Sequence, residues 1–210
     1  MTIHLPKWNE QYHSKHGAIA EAKHVFIESG LAPLRKHSFS PLKILEIGFG
    51  TGLNAYLTLL EAEEWQWQVT YDGIEAYPVD SSEIEKLNYP ELLGASVERF
   101  LKMHDSEWNE GIQITPHFQL QKRQILFNEI HNVSAYHLIY FDAFGPRVQP
   151  ELWTEAIFRL MYSALKPGGV LVTYSAKGSV RRAMQSVGFV VERLPGPPFK
   201  REMLRASKPS

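Results

Sequence analysis

The residues with the most chemical potential gather in three places. Glu46-Ile47-Gly48-Phe49-Gly50-Thr51-Gly52 sets three glycines on alternate positions behind an acid, with Asn54 two residues on. A second acid, Glu75, closes the run Gln68-Val69-Thr70-Tyr71-Asp72-Gly73-Ile74. A third, Asp142, follows Tyr136-His137-Leu138-Ile139-Tyr140-Phe141 and opens Asp142-Ala143-Phe144-Gly145-Pro146. A glycine turn after a strand lets the main chain approach a ligand that a Cβ would keep away, and the helix after it offers unpaired N–H groups. Carboxylates at neighbouring strand ends can accept hydrogen bonds from hydroxyls or take a proton from an amine.

Two cofactor classes use such a turn, dinucleotides and S-adenosylmethionine. The dinucleotide pattern G-x-G-x-x-G needs its third glycine at position 53, where this chain has Leu53. The observed E-x-G-x-G-x-G resembles motif I of class I methyltransferases. That resemblance assigns cofactor contacts to Glu46, Gly48, Phe49, Gly50, Thr51, Gly52 and Asn54, and gives Glu75 the ribose hydroxyls. Lys166-Pro167-Gly168-Gly169 resembles the same family's turn before the fifth strand. Relatives often carry an acid against the adenine after the third strand. Here Lys122-Arg123-Gln124-Ile125 has none, and Gln124 takes that place.

The elements that must hold these residues read as alternating strands and helices. Strands are expected at 42–47, 68–75, 118–122, 136–142, 170–174, 189–194 and 200–206. Helices are expected at 19–29 (stopped by Gly30), 53–63, 82–86, 92–103, 152–165 and 180–187. This alternation predicts an α/β fold of the class I, Rossmann-like kind: a doubly wound, mostly parallel sheet with helices on both faces. Residues 1–40 form a small N-terminal helical and loop extension, and 41–210 the S-adenosylmethionine-dependent domain.

Composition narrows the chemistry. The 210 residues contain no cysteine, which excludes disulfides, zinc–thiolate sites and a cysteine nucleophile, including the covalent route to pyrimidine ring carbons. The nine histidines lack metal-ligand spacing, so no metal is expected. A formal net charge of −1 announces no nucleic-acid partner, yet a local basic face can coexist with it. No apolar run of about 18 residues suggests a membrane span, and residues 1–10 lack a signal-peptide core, so a cytoplasmic protein is expected.

The sequence Asp142-Ala143-Phe144-Gly145-Pro146 with Pro150-Glu151-Leu152-Trp153-Thr154 resembles the methyltransferase domain of the bifunctional tRNA-modifying MnmC enzymes, and more closely its stand-alone form, MnmD. Four further segments are similar: Tyr12-His13-Ser14-Lys15-His16-Gly17-Ala18, Glu21…His24-Val25-Phe26-Ile27, Ser179-Val180-Arg181-Arg182…Gly188-Phe189, and Lys200-Arg201-Glu202-Met203-Leu204. The resemblance implies N-methylation of 5-aminomethyl-2-thiouridine at the tRNA wobble position, giving 5-methylaminomethyl-2-thiouridine. The sequence ends at Ser210, so a chain without the flavin-dependent oxidase domain is expected, its aminomethyl precursor made by other enzymes.

On this reading Asp142 orients the neutral amine and accepts its proton; the plain alternative is an acid capping the turn before Gly145-Pro146. Phe144 either stacks on a base or packs in the core. Arg147, Lys177, Arg181, Arg182, Lys200 and Arg201 are the candidates for tRNA phosphates, against the alternative of solvated surface charge. Two other functions fit the same motifs: a small-molecule N-methyltransferase on this fold, and a non-catalytic nucleotide- or RNA-binding module.

Overall fold

The computed structural model describes residues 15–210 together with His4–Leu5 and Glu10–Gln11, which pair as the antiparallel strands β1 and β2. Tyr12, His13 and Ser14 of the quoted N-terminal motif lie outside the described residues. Helix α1 (Lys15–Ala22) runs without a break into a π-helical segment, Lys23–Leu31, and a 3-10 turn, Ala32–Lys36. Gly30 therefore does not stop the helix. It sits in the chain for its size: a Cβ there would lie 2.9 Å from Val172 Cγ2 and 3.4 Å from Tyr140 Cε1.

The main sheet follows as β3 (Leu42–Ile47), β4 (Val69–Ile74), β5 (Gly111–Thr115), β6 (Phe118–Arg123), β7 (Tyr136–Phe141), β8 (Leu165–Thr173), β9 (Val190–Pro195) and β10 (Glu202–Ser207), with spatial order β5-β6-β4-β3-β7-β8-β10-β9. The five central strands β6, β4, β3, β7 and β8 are parallel, and β5, β10 and β9 add antiparallel edges. Helices α2 (Leu53–Trp65), α3 (Ser81–Ile84), α4 (Tyr89–Leu93), α5 (Val97–Asp105), α6 (Glu155–Ala164) and α7 (Gly178–Ser186) fill the connections. Because side chains alternate across a strand, β7 sends Leu138 and Tyr140 into one core with α2, α5 and the π-helical segment, and Ile139 and Phe141 into the other with α6 and α7. This is the doubly wound arrangement. Among the described residues no helix is long and apolar enough to cross a membrane.

Three expectations are corrected. The helix expected at 92–103 is two, because Gly94 takes φ +60 and turns the chain between α4 and α5. The turn Lys166–Gly169 is a kink inside the single strand β8, where Gly168 at φ +74 still bonds Lys208 across the sheet at 2.9 Å. Strand β5 is an addition: only Ile112 and Ile114 carry its apolar alternation, too little to read in advance.

Gly73 in β4 exists to make room for Phe49. A Cβ there would lie 3.2 Å from Phe49 Cγ and Cε2, and closer still to Cδ2. Overpacking of this kind costs about 1–3 kcal/mol. Gly73→Ala is expected to lower unfolding stability by that amount, and by far less in a Phe49→Ala background, where the ring is gone. Denaturant titration of the two single variants and the double variant checks the coupling; equal losses in both backgrounds would contradict it.

Candidate active site

The chain winds from β3 outward through β4 to β6, then returns to β7 on the other side of β3. Parallel sheets open a crevice where the winding reverses, at the carboxyl ends of the strands. Here those ends are Gly48, after β3, and Asp142, after β7. They touch: Asp142 N–H donates to Ile47 O at 2.9 Å, and a Cβ on Gly48, whose φ is +90, would lie 2.8 Å from Asp142 O. Gly48 and Phe49 N–H both donate to Ile74 O, at 3.0 and 2.9 Å, which ties the turn to β4 as well.

The side chains around this junction form a chain of hydrogen bonds. Asn54, in the first turn of α2, spends both amide hydrogens on carboxylates: Glu46 Oε1 at 2.9 Å and Asp142 Oδ2 at 2.8 Å. Tyr71 donates to the other oxygen of Glu46 at 2.8 Å. Glu46 is fully buried, and burial pushes its carboxyl well above the usual range, with the neighbouring charges of Asp142 and Glu75 adding to the rise. Asp142 keeps a partly open face, but the protein around it desolvates it enough to raise it from 3.8 to about 7. Asn54 and the Lys200 charge oppose that rise, and the Glu21 charge adds to it. Glu75 accepts Gly50 N–H at 3.1 Å and Tyr77 N–H at 3.0 Å, one on each oxygen. Desolvation raises its carboxyl too, and these main-chain donors counter it.

A cavity of about 1160 Å³ opens over the junction. Of the residues picked out in the sequence, Gly48, Phe49, Gly50, Thr51, Asn54, Glu75, Asp142, Phe144 and Lys200 line it. Glu46 lies beneath it and reaches it only through Asn54. Gly52 faces away, toward His104, whose Nε2 would lie 2.9 Å from a Cβ there. The Phe49 ring turns inward, edge-on to His104 and Trp108, so this residue meets the cavity from a core position. Gln124 is exposed and outside the lining. Its N–H is taken by Asn109 Oδ1 at 3.1 Å, and Leu126, Phe127 and Asn128 form that wall instead. Phe144 stands at the cavity rather than in the core, its carbonyl accepting Trp153 Nε1–H at 2.7 Å. Arg147, Lys177, Arg182 and Arg201 are exposed and outside the lining. Arg181 is also outside it, half-buried, with no hydrogen-bond partner for its Nε among the described residues.

Glu21 is a cavity residue that sequence reading passed over as part of a family segment. Its Oε1 takes Lys200 Nζ at 2.6 Å, across 179 residues, and the same ammonium sits 4.2 Å from the Tyr174 ring centre. Tyr174 in turn donates to Ala143 O at 2.9 Å. No local pattern announces a contact at such separation. Among the described residues there is no group of three or more His, Asp or Glu that could hold a metal ion.

The arrangement fits an adenosyl ligand with a charged methyl donor. Glu75 retains acceptor capacity for a vicinal diol, the glycine turn leaves space against its main chain, and two acids lie beyond. A family model described as S-adenosyl-L-methionine-dependent methyltransferase matches residues 92–209. The tRNA 5-methylaminomethyl-2-thiouridine biosynthesis bifunctional protein MnmC of Nitrosospira multiformis is 28% identical, covering 99% of this chain and 35% of that protein. The protein of the same name from Ralstonia nicotianae is 27% identical, with 97% and 32% covered. The chain thus spans about a third of the length of the curated relatives it matches. The crystal structure of MNMC2 from Aquifex aeolicus superposes with TM-score 0.77 at 24% identity, over 100% of this chain and 68% of that one. Spermidine synthase from Thermotoga maritima gives 0.59 at 17%, over 99% and 68%. These two likenesses establish the fold.

The elevated Asp142 has a stability consequence with a defined sign. The folded chain holds that proton more tightly than the unfolded chain does, so this group's contribution to stability falls as pH rises from 3.8 to about 7, and levels off above. Asp142→Asn removes the slope while still accepting from Asn54. Its melting temperature relative to wild type is expected to climb across that window, by about ten degrees in all. A constant offset between the two melting curves from pH 4 to pH 8 would contradict the burial of the carboxylate.

Proposed function

The chain belongs to the family of S-adenosyl-L-methionine-dependent methyltransferases whose model its residues 92–209 match, and from that premise we propose that it N-methylates 5-aminomethyl-2-thiouridine at the wobble position of tRNA. The observation that carries this reading is the half-open Asp142 carboxylate, held by Asn54 beside the cofactor turn in a cavity large enough for an adenosyl group and a nucleotide together. The names of the MnmC relatives supply the substrate class.

Bound S-adenosylmethionine supplies a methyl made electrophilic by its sulfonium. On this reading Glu75 takes the two ribose hydroxyls, with its carboxylate already oriented by Gly50 and Tyr77. Gly48, Gly50 and Thr51 border the amino-acid portion, while Leu126, Phe127 and Asn128 flank the adenine. The substrate amine must be neutral to attack. The nitrogen that accepts the methyl would become cationic, and Asp142 would be the residue to take its proton. A carboxylate near 7 is matched to that transfer at neutral pH. Glu46 acts at a distance, through Asn54, as a positioning residue. Phe144 borders the base, and Lys200, Arg147, Lys177, Arg181, Arg182 and Arg201 are the candidates for the phosphates. On this reading the reaction takes place in the cytoplasm.

The test is transfer of labelled methyl to tRNA carrying the aminomethyl group at the wobble position. Wild type is expected to label that tRNA and not one lacking the amine. Binding should weaken steeply with salt, as phosphate contacts require and a small amine's do not. Label on a different substrate with none here would overturn the reading. Asp142→Asn is expected to lose about 10² in turnover with little change in cofactor affinity. Loss of both together would make Asp142 a structural residue.

A further inference from the structure

The connection from β9 to β10 is built tightly. Gly196 N–H donates to Arg201 O at 3.1 Å and Lys200 N–H to Pro197 O at 2.9 Å. A Cβ on Gly196 would lie 2.8 Å from Glu202 N, and Pro197 and Pro198 stiffen the rest. At its apex Phe199 is wholly exposed, more than any other large hydrophobic residue described, and its φ is +71. Positive φ is unfavourable for a bulky side chain, and exposure forgoes the burial a phenyl ring normally brings. Among the described residues neither cost is repaid by a contact.

The position of the ring gives it a use. Strand β10 runs antiparallel to β8 with Leu204 opposite Thr173, so the tip before Glu202 lies beyond the carboxyl end of β8. That is the same edge of the sheet as Gly48 and Asp142. The next residue, Lys200, reaches into the cavity to Glu21, and Arg201 is exposed beside it. A bare aromatic face with cations on the adjoining positions, at the mouth of a cavity, is the arrangement that grips an unstacked base in single-stranded RNA.

We propose that Phe199 is a stacking platform for the nucleobase next to the one whose substituent enters the cavity. This rests on the tRNA reading above. Delivering a wobble substituent to Asp142 requires that nucleotide to leave its stack, which strips its neighbour of one face; the phenyl ring replaces that lost partner.

The test uses the whole chain and an anticodon stem-loop RNA, with binding and methyl transfer measured separately. Phe199→Ala is expected to weaken RNA binding and raise the RNA KM about tenfold, with kcat and cofactor affinity unchanged. Its melting temperature should not fall, since none of the described residues packs on the ring. Phe199→Trp should bind as wild type does, while Phe199→Leu, apolar but without a flat face, should behave like the alanine variant. An alanine variant that binds RNA as wild type does overturns the platform alone. So does a leucine variant that matches wild type, or an alanine variant whose change is in self-association rather than RNA affinity. Wild type that binds no RNA overturns the tRNA reading and the platform with it.

Discussion

Everything at the carboxyl edge of the sheet depends on one amide. The two hydrogens of Asn54 are divided between Glu46 and Asp142, carboxylates that leave adjacent parallel strands and would otherwise repel each other in a poorly solvated space. A buried acid without such a donor would either protonate or draw the chain apart. With it, the ends of β3 and β7 are clamped at the spacing Gly48 permits, and the partly open oxygen of Asp142 is aimed into the cavity. Asn54 stands in the first turn of α2, so the helix that follows the glycine turn sets both the cofactor crevice and the acid beyond it.

The remaining geometry extends outward from that clamp. Glu75 links the glycine turn to the end of β4, and Tyr71, on β4, closes the far side of Glu46. On the opposite wall, Lys200 brings the β9–β10 connection against α1 through Glu21 and lies on the Tyr174 ring. The two charges of that pair act on Asp142 in opposite senses. The acid is thus flanked by a neutral amide on the side of the fold and by an ion pair within the cavity.

The strands nearest the clamp were the most legible in sequence. Leu42–Ile47 appears with the bounds expected of it, because buried apolar residues on both faces and a glycine turn immediately after leave little choice of register. Glu75 and Asp142 were legible by position: each is the acid that immediately follows a strand. What escaped was set by distant partners. Gly30 looks like a helix stop until Val172 is seen to occupy the space of its missing side chain. Gln124, expected against the adenine, is exposed and outside the cavity lining, where Leu126 to Asn128 stand instead. Glu21 and Lys200 meet across almost the whole chain, and the exposed ring of Phe199 is evident only once the loop around it is drawn.

The most direct measurement is the structure of this chain with S-adenosylmethionine bound. The clamp predicts ribose hydroxyls on the Glu75 carboxylate, the sulfonium methyl facing the open oxygen of Asp142, and Asn54 still bridging to Glu46. A cofactor seated away from Glu75, or a methyl turned from Asp142 toward the Gly52 side of the turn, would contradict it.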